Sequence, residues 1–204
     1  MKTYLKYAAL MVTALVIGLC LTVIGVKKEA EAAGLDPYLG KTDSQTVVYF
    51  ISDWFCPGCR KIESVIEKMY PEIVKMAKIG FVDFPIHPET SNFTPYNVQF
   101  LVYEKDKYIQ LRHALNELSL KTKSPTNEDV QAAIAPYGVK LQQLNFMDVM
   151  AGMKLNESIY RGFGVTATPT VVVTNPKTKK TKKLVGDNQI SRQSVIDAIA
   201  VVSK

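Results

Sequence analysis

Val-Val-Tyr-Phe-Ile-Ser-Asp-Trp-Phe-Cys-Pro-Gly-Cys-Arg, residues 47–60, decides how the rest of the chain is read. Its first five residues are apolar, β-branched or aromatic, the composition of a buried strand. A helical period begins at the two cysteines, with Ile62, Val65, Ile66 and Met69 on one face and Arg60, Lys61, Glu63 and Lys68 on the other. Cys56 therefore falls at a helix N-terminus, where free N–H groups and the positive end of the helix dipole favour an anion. A thiolate there is stabilised, and the thiolate is the form of cysteine that attacks disulfides. Cys59, one turn on, is close enough to close a disulfide with Cys56.

A Cys-x-x-Cys also serves as half a zinc site, which needs two further N or S ligands. The chain offers only Cys20, inside an apolar segment, and His87 and His113, 26 residues apart. No finger-like spacing results, and the strand–cysteine–helix context favours redox chemistry with no metal. Met147, Met150 and Met153 read as core filler rather than a metal or cofactor box.

The 204 residues are 47% hydrophobic, enough for one sizeable core. Tyr7 to Val26 carries no charge over twenty residues and follows Lys2 and Lys6. That is long enough to cross a bilayer and longer than an ordinary signal core of about 7–15 residues. Residues 1–29 are expected to be a signal anchor, with cleavage after the Ala30-Glu31-Ala32 pattern as the rival. Either way the remainder leaves the cytoplasm, for the periplasm or the outer face of a bacterial membrane. Cys20 reads as a small buried apolar thiol, since bulky Leu19 precedes it. The two cysteines outside the apolar segment both lie in the motif, too few for a disulfide-stapled domain, so the pair reads as catalytic. The net charge of +6 is crowded into Lys177, Lys179, Lys180, Lys182 and Lys183 after Asn175-Pro176. With no aromatics interleaved, this run reads as a solvated hairpin tip and not as a nucleic-acid surface.

In chain order, residues 30–45 read as a tether, and Thr46–Ser52 as the first strand. A helix from Cys56 is interrupted near Pro71 and continues to about Lys78. Ile79–Phe84 is a second strand. Residues 46–87 thus form a βαβ unit. Residues 88–162 turn helical, with elements led by Thr94-Pro95, by Thr126 and by Leu141–Tyr160. At this length they form a subdomain rather than a loop. Residues 163–204 return to strands at Thr170–Thr174 and Lys183–Val185 and to a closing helix over Ser191–Val202.

This α/β layout resembles the thioredoxin superfamily, and within it the DsbA-like thiol–disulfide oxidoreductases, some of them membrane-tethered. The resemblance covers about residues 36–202. It rests on Ser52-Asp53-x-x-Cys56-Pro57-x-Cys59, Asp83-Phe84-Pro85 and Gly164-Val165-x-x-Thr168-Pro169-Thr170. It implies a thioredoxin-like fold with an inserted all-helical subdomain. Cys56 would be the nucleophile, Cys59 the resolving thiol and Cys56–Cys59 the active disulfide. Pro169 would be a cis proline facing them, leaving the backbone of Thr168 to pair with an extended substrate. The implied partners are protein thiols and disulfides, a redox partner that resets the site, and the membrane through the N-terminal helix, with no cofactor.

Two departures matter. Phe50 stands where many members carry a buried acid, and Pro57-Gly58 replaces the Pro-His of the strongest oxidants. Lacking that imidazole, the pair is expected nearer the thioredoxin end of the potential scale. Thr168 before the proline fits an isomerase, but residues 27–45 are too short for the separate dimerisation domain isomerases of this class carry. A redox-inactive, peptide-binding chaperone module is the rival from another class.

Overall fold

The computed structural model describes residues 35–204, so the apolar segment 7–26 and the expected anchor over 1–29 lie outside the described residues. Among the described residues no helix is long and apolar enough to cross a membrane.

Five strands form one sheet in the order β1-β3-β2-β4-β5. They are β1 (Leu39–Gly40), β2 (Val47–Ser52), β3 (Lys78–Asp83), β4 (Thr170–Asn175) and β5 (Lys180–Val185). β2 lies at the centre, parallel to β3 and antiparallel to β4, with Phe50 opposite both Phe81 and Val171. A strand covered on both faces must be apolar on both, which is why Val48, Tyr49, Phe50 and Ile51 run without polar alternation. Helix α1 (Pro57–Ile73) joins β2 to β3. The inserted block holds α2 (Thr94–Tyr103), α3 (Tyr108–Ser119), α4 (Asn127–Ile134) and α5 (Phe146–Gly162), and α6 (Arg192–Ser203) closes the chain.

Two apolar clusters sandwich the sheet. On one side Val48, Phe50, Phe81, Val171 and Val173 pack with α1, α6 and the insertion residues Phe93, Phe100 and Leu111. On the other, Tyr49, Ile51, Val82 and Val172 pack with Leu155 and Ile159 of α5. α5 reaches α2 closely because Gly152 carries no side chain: a Cβ there would stand 2.6 Å from Val98.

Several expectations need correcting. The segment read as a tether up to residue 45 is part of the domain from its first described residue. Leu35 and Leu39 are buried, β1 pairs with β3, and Asp36 binds Lys105. α1 runs past Pro71 but stops at Ile73 instead of reaching Lys78, which already belongs to β3. Glu63, assigned to the solvent face of α1, is buried against Arg112. The lysine run is mostly strand: Lys180, Lys182 and Lys183 lie on edge strand β5, where charge discourages further strand pairing. α5 begins at Phe146 rather than Leu141, because Asn145 caps it by accepting from the amide of Met147 at 3.0 Å.

That shift also displaces the methionines. The buried stripe of α5 is Val149, Gly152, Leu155, Asn156 and Ile159. Met147, Met150 and Met153 point outward, 72%, 48% and 38% exposed, and are not core filler. They line an open groove of about 640 Å³ with Asp83, Pro85, Thr94 and Tyr160. Met69 of α1, by contrast, is fully buried. In urea unfolding, Met69→Ala should cost about 2–5 kcal/mol, while Met150→Ala should stay within about 0.5 kcal/mol of the parent. Equal losses would contradict this orientation of α5.

Candidate active site

Cys56 is the N-cap of α1 and Pro57 its first residue, a place where proline's missing N–H costs nothing. The helix then turns Cys59 inward, so Cys56 is half-buried and Cys59 buried, both as free thiols. The loop that follows α5 brings Thr168 and Pro169 against this turn. The Thr168–Pro169 peptide bond is cis, and the Cys56 thiol donates to the Thr168 carbonyl at 3.5 Å. Gly58 permits this approach, since a Cβ there would meet Pro169 Cδ at 3.0 Å. The Pro-Gly dipeptide thus trades an imidazole for close contact between the helix start and the proline loop.

The two sulfurs are inequivalent. Burial raises the pKa of Cys56, but the nearby Thr168 side chain and the Cys59 and Gly58 backbone at the helix start outweigh it, and the net shift is downward. For Cys59 burial dominates, and the Asp53 amide at 3.3 Å only partly offsets it, leaving the thiol pushed up to about 12. Of the two sulfurs, Cys56 is therefore the one that ionises more readily, and Cys59 is held as a thiol. The Thr168 hydroxyl, buried and without a regular hydrogen-bond partner, lies near both and lowers the pKa of each.

The loop before Cys56 is tied down on every side. The Trp54 amide donates to Thr90 Oγ1 at 3.2 Å, and Arg60 Nε donates to the Trp54 carbonyl at 3.1 Å. Arg60 also reaches the Ser119 carbonyl, so the insertion holds the cysteine loop. Beneath it lies a buried polar network absent from the sequence reading. Arg112 of α3, 2% exposed, donates to both oxygens of Glu63 at 2.6 and 3.0 Å and to Ser52 Oγ at 2.9 Å. Its guanidinium stacks 4.8 Å from the rings of both Trp54 and Phe81. Tyr108 donates to Asn97, which donates in turn to Asp83. A charged residue inside an amphipathic helix gives no sign in sequence that it faces inward, and Glu63 read as part of the polar face of α1. Among the described residues no group of three or more His, Cys, Asp or Glu side chains could hold a metal ion.

A half-buried cysteine at a helix start, beside a buried partner thiol and facing a cis-proline loop, has the geometry that thiol–disulfide exchange requires. With the five-stranded sheet and its helical insertion, this arrangement defines a thioredoxin-like domain. Residues 32–189 match the thioredoxin family, and the chain belongs to it. Among solved structures it is similar to the thiol–disulfide exchange protein α-DsbA2 of Wolbachia pipientis, at 18% identity over 92% of this chain and 97% of that one, with a TM-score of 0.59. It is similar also to oxidised BdbD of Bacillus subtilis, at 17% identity over 81% and 91%, TM-score 0.60. Salmonella enterica Typhimurium BcfH superposes with a TM-score of 0.63 at 16% identity over 100% and 90%. At these identities the likeness is one of fold. No curated protein matches the chain in sequence.

Two measurements follow. Thr168→Val removes the hydroxyl without changing shape, so the thiolate absorbance of reduced protein should titrate at higher pH than in the parent. An unchanged titration would remove the hydroxyl from the list of stabilisers. Asp83 is the second case: burial, opposed chiefly by Arg112, pushes its carboxyl up to about 6 from 3.8. A raised acid pKa means the folded protein binds this proton more tightly than the unfolded chain. The group therefore costs stability above pH 6 and ceases to as the pH falls towards 4. Asp83→Asn should be more stable than the parent at pH 8, with the advantage shrinking by pH 4.

Proposed function

We propose that this protein exchanges disulfides with protein substrates through Cys56-Pro57-Gly58-Cys59, with Cys56 as nucleophile and Cys59 as resolving thiol. The observation that carries this reading is the asymmetry of the pair, one sulfur lowered in pKa at a helix N-terminus and its neighbour pushed up to about 12. In the reducing direction the Cys56 thiolate attacks a substrate disulfide and expels one substrate thiolate. Cys59 then loses its proton and attacks Cys56 sulfur, releasing the second substrate thiolate and leaving the Cys56–Cys59 disulfide. The oxidising direction is the same path reversed. Thr168 and Pro169 form the wall along which an extended substrate would lie, by main-chain pairing with little sequence preference.

The direction we favour is towards a thioredoxin-like potential. No imidazole sits between the cysteines, and only hydrogen bonds and the helix start stabilise the Cys56 thiolate. Thr168 at the proline loop also fits a disulfide isomerase. The exposed methionine groove is the feature that favours the other rival, a peptide-binding module. An unidentified redox partner resets the site. A Salmonella relative of this fold is described as a periplasmic thioredoxin-like protein. With the apolar segment 7–26, this supports an extracytoplasmic location, and residues 1–29 would serve as the anchor or signal peptide. Within the domain, 46–87 and 163–204 would form the catalytic frame around the 88–162 insertion.

Replacing the resolving thiol separates the readings. Cys59→Ala should accumulate mixed disulfides between Cys56 and protein substrates, and Cys56→Ser should abolish both trapping and turnover. A Cys56→Ser protein with full activity would leave only the peptide-binding module. The potential of the pair, measured against a glutathione buffer, sets the direction: near −270 mV for a reductant like thioredoxin, near −120 mV for a strong oxidant.

A further inference from the structure

Asp53 touches both cysteines through its backbone. Its carbonyl accepts from the Cys56 amide at 3.2 Å, and its amide donates to Cys59 Sγ at 3.3 Å. Its carboxylate takes no direct part in either contact. That carboxylate is 0% exposed, and its hydrogen-bonding partners come from two separate segments. Oδ1 accepts from the Phe55 amide at 2.8 Å, and Oδ2 accepts from the His87 amide at 2.7 Å. The His87 ring closes the set, with Nδ1 3.1 Å from Oδ1. A carboxylate can only accept, so Nδ1 carries the proton and Nε2 is left to the half-exposed outer edge of the ring.

We propose that Asp53 and His87 form a positioning clamp that holds the Asp53 amide against Cys59 and thereby sets how fast Cys59 resolves a mixed disulfide. This deepens the exchange reading above and rests on it. In the resolving step Cys59 gives its proton to water and its sulfur bonds to Cys56 sulfur. The Cys56–substrate bond breaks, and its electron pair leaves with the substrate thiolate. Negative charge must appear on a buried sulfur, and the Asp53 amide is the hydrogen-bond donor in place to meet it. An amide can do this only if the loop cannot swing away, and the loop's own residues 53–56 make too short a turn to guarantee that. The clamp fastens it to the segment after β3, which is itself anchored by the Phe84 amide donating to the Ser52 carbonyl at 2.8 Å. The pair lies outside the Cys-x-x-Cys motif.

Position and charge act in opposite senses here, which makes the clamp testable. Removing the Asp53 charge by itself would favour a second negative charge nearby, and so speed resolution. Loosening the amide would slow it. For Cys59 the amide is the largest stabilising influence, so the positional effect governs. The experiment compares Asp53→Ala, His87→Ala and His87→Asn with the parent, in the full chain. A pre-formed mixed disulfide between Cys56 and a cysteine peptide is followed for peptide release, and attack by Cys56 on a small aromatic disulfide is timed separately.

Asp53→Ala and His87→Ala should slow peptide release at least threefold while Cys56 attack stays within twofold. His87→Asn, whose amide nitrogen can replace Nδ1 as donor, should recover most of the lost rate. Release within twofold of the parent in both alanine variants, or a rate gain, would overturn the clamp. So would equal slowing in His87→Asn and His87→Ala. If Asp53→Ala fails to fold, as judged by circular dichroism, the two His87 variants decide alone, because His87→Ala leaves the His87 amide bond to Oδ2 in place. Absence of any mixed disulfide or release in the parent protein would instead sink the exchange reading itself.

Discussion

The buried Arg112 guanidinium is the constraint on which the geometry of this domain depends. Its two bonds to Glu63 fix the rotation of the cysteine helix α1, its bond to Ser52 fixes the end of the central strand, and its faces are covered by Trp54 and Phe81. A buried ion pair gains little over well-packed apolar residues. Removing one partner, however, strands a charge at a cost of about 3–5 kcal/mol. The pair is therefore better understood as a device for register. It locks the helical insertion, which carries Arg112, against the strand and helix that carry the cysteines.

From that lock the chemistry of the site follows by burial. One turn of helix separates Cys56 at the solvent edge from Cys59 under the loop, so hydrogen bonds together outweigh desolvation at the first and fail to at the second. No additional charged side chain is needed to split them. This explains how a motif lacking an imidazole still presents one activated sulfur. The insertion contributes by restraint rather than by chemistry: its Thr90 and Ser119 hold Trp54 together with Arg60 of α1, while the segment after β3 that bears His87 holds Asp53.

Phe50, in the place of the family's buried acid, is stacked on Phe81 with centroids 5.2 Å apart and contributes only packing. Besides Glu63 of α1, the buried carboxyl groups near the site are Asp53 and Asp83, which arrive from the loop after β2 and the end of β3. Asp83 sits beneath the loop beside the Arg112 network and at the floor of the methionine groove.

The order of elements, the central strand, the helix-start cysteine and the proline loop were legible in the sequence. Each rests on local signals: an unbroken apolar run, a period of 3.6, and a Cys-x-x-Cys or Thr-Pro at an element boundary. What the sequence could not tell was which way polar and amphipathic side chains face. Glu63 and Arg112 look like solvent residues until the insertion folds over them, and Met147, Met150 and Met153 look like core until Asn145 sets where α5 begins. The pairings of Asp53 with His87 and of Gly58 with Pro169 join segments 34 and about 110 residues apart, respectively. Local propensity carries no information about such contacts. They exist only because the sheet brings the C-terminal end of β2, the end of β3 and the start of β4 to one edge, and tertiary packing alone decides what meets there.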